Sequence, residues 1–292
     1  MIASRRAVLA VLAAGALAGC DRPAALAGGK GTAAASHVAA GIRTPGTVRP
    51  SARPPAPAAS RAEVVARYGH LRPHTWGFGG PGVVRDLPTS RRVIALTFDA
   101  CGGPGGSRYD QALISFLRRK EVAATLFLNS RWIDANPAAF RQLAGEPLFE
   151  IANHGTRHLP LSVTGQSAYG IGGTRNAGEV YDEVAGNQAK LTRLLGVPPR
   201  FFRAGTAYSD DVAARIVSAM GDRLVTFSVN GDGGATFTPW QVQSTVTGAP
   251  GGSIVICHMN HPESGTAQGI AAAVPHLLAS GYRFVRLSDE LR

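Results

Sequence analysis

The sequence predicts an α/β fold in which seven parallel strands form a barrel. Three observations lead to it. From Arg91 onward, short apolar runs alternate strictly with stretches of helical periodicity, the pattern of strand–crossover–strand units. There are seven such runs, a number that suits a barrel. Asp99, His154, Arg203, Asp232 and His258 each stand just after an apolar run, where a parallel barrel gathers its catalytic groups.

The runs at 93–98, 123–128, 148–152, 200–202, 224–229, 253–257 and 282–287 read as the strands. The helical patterns lie between them, at 110–120, 137–143, 178–195, 210–220, 239–247 and 266–280. Asp110 is well placed to cap the first helix. With 292 residues, 45% of them hydrophobic, the chain can bury a sizeable core and reads as one large domain at 91–292. No internal repeat is visible.

The stretches before that domain read differently. Ser4-Arg5-Arg6 precedes an apolar run, 7–17, that is too short to span a bilayer as a helix. Residues 1–20 therefore read as a signal peptide with a twin-arginine look. The run closes in Leu17-Ala18-Gly19-Cys20, which resembles a bacterial lipobox. That resemblance implies cleavage before Cys20, lipidation of its sulfur and an exported, membrane-anchored protein. Residues 21–60, rich in Ala, Gly, Pro, Ser and Arg, cannot bury enough surface to offset their ordering entropy and read as a disordered tether. Residues 61–90 read as a leading arm, with Tyr68, Trp76 and Phe78 available to pack on the domain.

The formal charge of +11 suggests a nucleic-acid partner only until it is divided. Residues 1–87 hold 11 Lys/Arg against 3 Asp/Glu, whereas residues 88–292 hold 19 against 16. The basic excess belongs mostly to the signal and tether, so no nucleic-acid partner is expected.

In the segment 93–106, VIALTFDACGGPGG, an apolar run ends in Asp99 and gives way to a glycine-rich loop. This places one carboxylate at the mouth of a buried strand. His154 and His158 are spaced i, i+4, so on one helical turn both imidazoles would point the same way and share a divalent metal. Cys101 and Cys257 raise the question of a disulfide in an exported chain. Cys257 neighbours His258 on a strand, so the two side chains face opposite ways, and both cysteines are expected to be free.

Ordered blocks across most of 93–291 resemble the polysaccharide deacetylases of carbohydrate esterase family 4. TFDA at 97–100 resembles that family's TFDD block, and NHGTRH at 153–158 its histidine block. RFFRAG at 200–205, SIVICH at 253–258 and GYRFVRLSDEL at 281–291 follow in the family's order. The resemblance implies a deformed (β/α)7 barrel and metal-assisted hydrolysis of N-acetyl groups on an envelope or extracellular glycan, such as peptidoglycan or chitin oligomers. It implies Asp99 as general base, Arg203 as its partner, and His154 and His158 as ligands of a divalent metal, zinc or else Co, Ni or Mn. It also implies His258 as the acid for the leaving amine, and a backbone N–H near Thr206 as oxyanion donor. A monomer is expected.

Some positions depart from the family. Ala100 stands where the family's third metal ligand is an Asp, and a methyl group ligates nothing. Cys101 supplies a thiolate in its place, another carboxylate such as Asp232 or Asp99 closes the shell, or the metal is weak or absent. Gly155 replaces a Ser or Thr, and AGT replaces PPY after Arg203. In FSVNGDGG, 227–234, Asp232 reads equally as a tuner of His258 and as a turn residue. His261 reads as solvated. Two further functions stay open beside glycan deacetylation: hydrolysis of a small linear or cyclic amide, and glycan binding by a catalytically impaired lipoprotein.

Overall fold

The computed structural model of the protein describes residues 58–291. The expected export signal, Cys20 and the expected tether up to residue 57 lie outside the described residues. The central strand is Val93–Ala100, buried along its whole length on both faces. Its odd-numbered apolar residues, Val93 and Ala95, join an inner cluster with Phe127, Ala152, Phe201, Val225, Ile254 and Ile256. Its even-numbered residues, Ile94, Leu96, Phe98 and Ala100, pack outward with helix residues such as Leu113, Leu117, Val274 and Leu277. This is the period-2 alternation of a strand with apolar layers on both sides.

Every pairing within the large sheet is parallel. Val93–Ala100 lies between Ile254–His258 on one side and Ala124–Leu128 on the other, followed by Phe149–Asn153, Phe201–Phe202 and Arg223–Val225. Val229–Asn230, a few residues after Arg223–Val225, pairs with Ile254–His258 at the opposite edge. One stretch of chain therefore runs from one side of the sheet to the other. This is the deformed (β/α)7 barrel.

The structure corrects the expected strands in three places. The run at 224–229 is not continuous. It divides into Arg223–Val225 and Val229–Asn230, and Arg203 donates to carbonyls at the break, Nε to the Val225 oxygen at 3.3 Å and Nη2 to the Thr226 oxygen at 2.8 Å. The strand expected at 282–287 is only Arg283–Phe284, because Arg286 and Asp289 form a reciprocal cap that starts the short helix Leu287–Glu290. Val83–Val84 adds a parallel strand, paired with Arg223–Val225, that the pattern did not announce. A two-residue run carries no periodicity to read.

The helices begin where their caps dictate. Asp110 accepts from the Leu113 N–H at 2.9 Å and starts Gln111–Arg119. Thr238 and Gln241 form a capping box, with Pro239 opening the helix Pro239–Thr247. Such a cap contributes about 1 kcal/mol. Ser130–Ala135, capped by Asn129, and Arg61–Tyr68, capped by Ser60 with Glu63, were not expected as helices. Arg61–Tyr68 lays Val64 and Tyr68 against Val180, Val184 and Val217. Among the described residues, no helix is long and apolar enough to cross a membrane.

Asp222 is buried, with one oxygen accepting from Gln188 at 2.9 Å and the other without a partner. Burial pushes its pKa up to about 7. Between about pH 4 and pH 7 the folded state therefore holds a proton that the unfolded chain releases, and stability falls as pH rises. Asp222→Asn is expected to flatten that slope and to raise stability at neutral pH by a few kcal/mol at most, read as urea midpoints at acidic and neutral pH.

Candidate active site

The inward-facing parity of the strands carries through to their C-terminal ends. In register, His258 lies beside Asp99, Asp99 beside Phe127, and Phe127 beside Ala152. One step beyond, His154 and Arg203 follow Asn153 and Phe202, which pair with each other. Polar groups far apart in sequence thus meet at one end of the barrel.

Asp99 is buried, and its Oδ1 accepts from Arg203 Nη1 at 2.6 Å. Arg203 is itself wholly buried, with its guanidinium 4.0 Å from the centroid of the Phe127 ring. Burial lowers the Arg203 pKa against the opposing pull of Asp99. The other Asp99 oxygen lies 3.5 Å from His154 Nε2.

The histidine block corrects one expectation: 154–158 is a loop and not a helical turn. Gly155 and His158 both have left-handed backbone, with φ of 79° and 63°. A Cβ at Gly155 would come within 2.5 Å of Glu183 Oε1. Glu183 shapes the loop by accepting from the N–H groups of Arg157 and Leu159 at 3.0 and 3.2 Å. That contact gives a physical reason for glycine at this position. The loop still brings the two imidazoles together, edge to face at 4.8 Å between centroids.

Cys101 completes this group, and its Sγ with one ring nitrogen from each of His154 and His158 lie within 4.8 Å of one another. His154 Nδ1 donates to the Arg203 carbonyl at 2.9 Å, which leaves Nε2 to face Cys101 Sγ at 3.9 Å. Burial opposes ionisation of the Cys101 thiol, yet His158, His154 and His258 outweigh it and hold its pKa well below the thiol range. Burial likewise opposes protonation of His154, but Asp99 and Cys101 raise its pKa. A thiolate and two imidazoles form a donor set that suits zinc, so the residues present fit a divalent cation. Ala100 plays no part, because its methyl is buried in the outer apolar cluster. Cys101 and Cys257 are free, and Cys257 is buried in that same outer cluster.

Across the pocket, Asp232 contacts His258 twice. One carboxylate oxygen lies 3.0 Å from His258 Nδ1 and the other accepts from the His258 N–H at 2.7 Å. The Thr266 hydroxyl and the Gly234 N–H also donate to Asp232, at 2.9 and 3.1 Å. Asp232 is therefore both a turn residue and a partner of His258. Burial works against the charge on each, but their pairing lowers the Asp232 pKa and raises that of His258 well above the ordinary range.

Thr206 lines the same pocket with φ of 65°, and its buried hydroxyl has no hydrogen-bond partner. The pocket, about 360 Å³, is lined by Asp99, His158, Thr206 and His258 together with Phe78, Tyr169, Ile171, Phe227 and Ile256. His261 is not among the lining residues and lies against Glu263 at 3.2 Å. The pattern of the sequence did not single out Thr266, Glu183, Tyr169 or Phe227. None of them stands in a spacing or motif that a local pattern could flag.

These polar groups lie at the C-terminal mouth of a parallel α/β barrel. Residues 86–225 match the family described as polysaccharide deacetylase. That stretch is what the chain shares with the family, and it holds Asp99, His154, His158 and Arg203. A peptidoglycan-N-acetylglucosamine deacetylase from Bacillus cereus is 27% identical over 214 residues, covering 72% of this chain and 93% of the relative. Two solved structures share the fold. One is a pseudoenzyme of carbohydrate esterase family 4 from Bacillus anthracis, with TM-score 0.61, 19% identity and coverage of 73% of this chain and 70% of the other. The second is a family 4 acetyl xylan esterase from Clostridium thermocellum in complex with a cobalt ion, with TM-score 0.54, 22% identity and coverage of 68% and 89%.

Proposed function

We propose that this protein hydrolyses N-acetyl groups on an envelope glycan with the help of a divalent cation, zinc above others. The observation that supports it most is the pair of opposed proton carriers, Asp99 held by Arg203 at 2.6 Å and His258 held by Asp232 at 3.0 Å, lining one pocket. The likeness to a peptidoglycan-N-acetylglucosamine deacetylase supports the choice of glycan.

Cys101, His154 and His158 would hold the cation, which supplies Lewis acidity to the acyl carbonyl and acidifies water. Asp99 accepts the proton of the attacking water through the oxygen that Arg203 does not occupy. The Thr206 N–H and its unpartnered hydroxyl, which line the pocket, are the donors we assign to the developing oxyanion. His258, kept protonated by Asp232, gives its proton to the departing amine. The lipobox at Cys20 supports an exported protein, anchored on the outer face of the cytoplasmic membrane and reaching its polymer through the tether.

The test is acetate release from peptidoglycan and chitin oligomers by protein loaded with different divalent metals. His258→Gln is expected to lower kcat by about 10²–10⁴ with little change in glycan affinity. The wild-type rate is expected to fall on the alkaline side as His258 loses its proton. Asp232→Asn is expected to shift that limb to lower pH. No acetate with any metal would sink the reading. Glycan affinity without turnover would instead support a binding lipoprotein.

A further inference from the structure

One wall of the pocket has no part in the chemistry above. Ser167–Ala168 and Ile171–Gly172 pair as an antiparallel hairpin with two residues at its tip. Those residues, Tyr169 and Gly170, both have positive φ, 52° and 74°, as a type I′ turn requires. Asn or Asp is the usual first residue of such a tip, because a bulky side chain is disfavoured in left-handed backbone. Here the tip displays a tyrosine that is 74% exposed and lines the same pocket as Asp99 and His258.

The ring is held from behind. Tyr169 meets Tyr208 edge-on at 5.6 Å, and Tyr208 lies 4.3 Å from Phe78 and 5.5 Å from Trp76. Phe78 in turn lies 5.0 Å from Phe227, and both of these rings line the pocket. The Thr226 hydroxyl donates to the Phe78 carbonyl at 2.7 Å and fixes that segment. Trp76 and Phe78 precede residue 86, where the match to the deacetylase family begins.

An exposed aromatic in strained backbone, buttressed by further rings beside a catalytic pocket, suits a flat ligand with a C–H-lined face. A pyranose ring has that face, and its hydroxyl edge remains in water. We propose that Tyr169, together with Phe78 and Phe227, is a stacking platform for a sugar ring adjoining the one that carries the scissile acetyl group. The substrate is then an oligosaccharide or polymer, and not a monosaccharide or a small amide. This rests on the reading of the pocket as a glycan deacetylase site.

The experiment compares N-acetylglucosamine with its β-1,4-linked tetramer, in the wild-type protein and in Tyr169→Asn, a substitution that the I′ turn accommodates. The tetramer-to-monomer ratio of kcat/KM is expected to fall about tenfold in Tyr169→Asn and to recover in Tyr169→Trp. An unchanged ratio, or a wild type that prefers monomers or small amides, overturns the proposal. Calorimetric affinity of the tetramer for Asp99→Asn protein, with and without Tyr169→Asn, separates the two ideas. If no sugar releases acetate, weakened tetramer binding in the Tyr169→Asn form still supports the platform, and equal or absent binding overturns it.

Discussion

Arg203→Leu is expected to cost about 3–5 kcal/mol of folding stability and to abolish turnover. The size of the effect follows from what the guanidinium holds. It is wholly buried, pairs with a buried carboxylate, donates to two strand carbonyls and lies over the Phe127 ring. Removing it leaves Asp99 as a buried charge without its cation and strips the Val225 and Thr226 carbonyls of a donor, at about 1–3 kcal/mol for each unsatisfied group. Denaturant midpoints measure the loss. The double variant Asp99→Asn, Arg203→Leu should be more stable than Arg203→Leu alone, since the orphaned charge is gone. A cost below about 1 kcal/mol for Arg203→Leu would contradict the geometry.

The second large effect concerns the two residues after Asp99. Ala100→Asp would return the carboxylate that the deacetylase family resemblance calls for, and for a merely impaired site a gain in bound metal is the expectation from sequence. The structure reverses it. Position 100 is wholly buried among Phe98, Leu128 and Trp132 on the helix side of the sheet, so a carboxylate there enters apolar packing instead of the site. The variant is expected to lose about 3 kcal/mol or more and to gain no metal. Cys101→Ser, in contrast, is expected to leave the fold intact and to lower zinc content, because an alcohol replaces the thiolate of the donor set. Thermal melting and metal analysis of the two purified variants decide the matter. A stable Ala100→Asp protein with raised metal content would refute this account.

Much of the site was legible because strands alternate. Asp99, His154, Arg203 and His258 follow apolar runs at inward parity, and that parity needs only the backbone's period of two. Asp232 was harder to read, since a glycine-rich loop has no periodicity. Its role shows only in the bonds it makes to His258 and Thr266. The i, i+4 spacing of His154 and His158 suggested a helix, yet Gly155 and Glu183 turn the segment into a loop that brings the rings together by another route.

What the sequence determined by itself was the alternation of strands and helices, the order of the family blocks and the strand ends that bear chemistry. These are local properties, set by hydrophobic period and capping within a few residues. Tertiary structure alone decided that residue 101 and not residue 100 faces the histidines, that the run at 224–229 breaks around Arg203, and that rings from residues 78, 169 and 227 share one wall. Each of these depends on contacts between segments that are distant along the chain. Packing, hydrogen bonds and buried charge choose among arrangements that local pattern leaves equal.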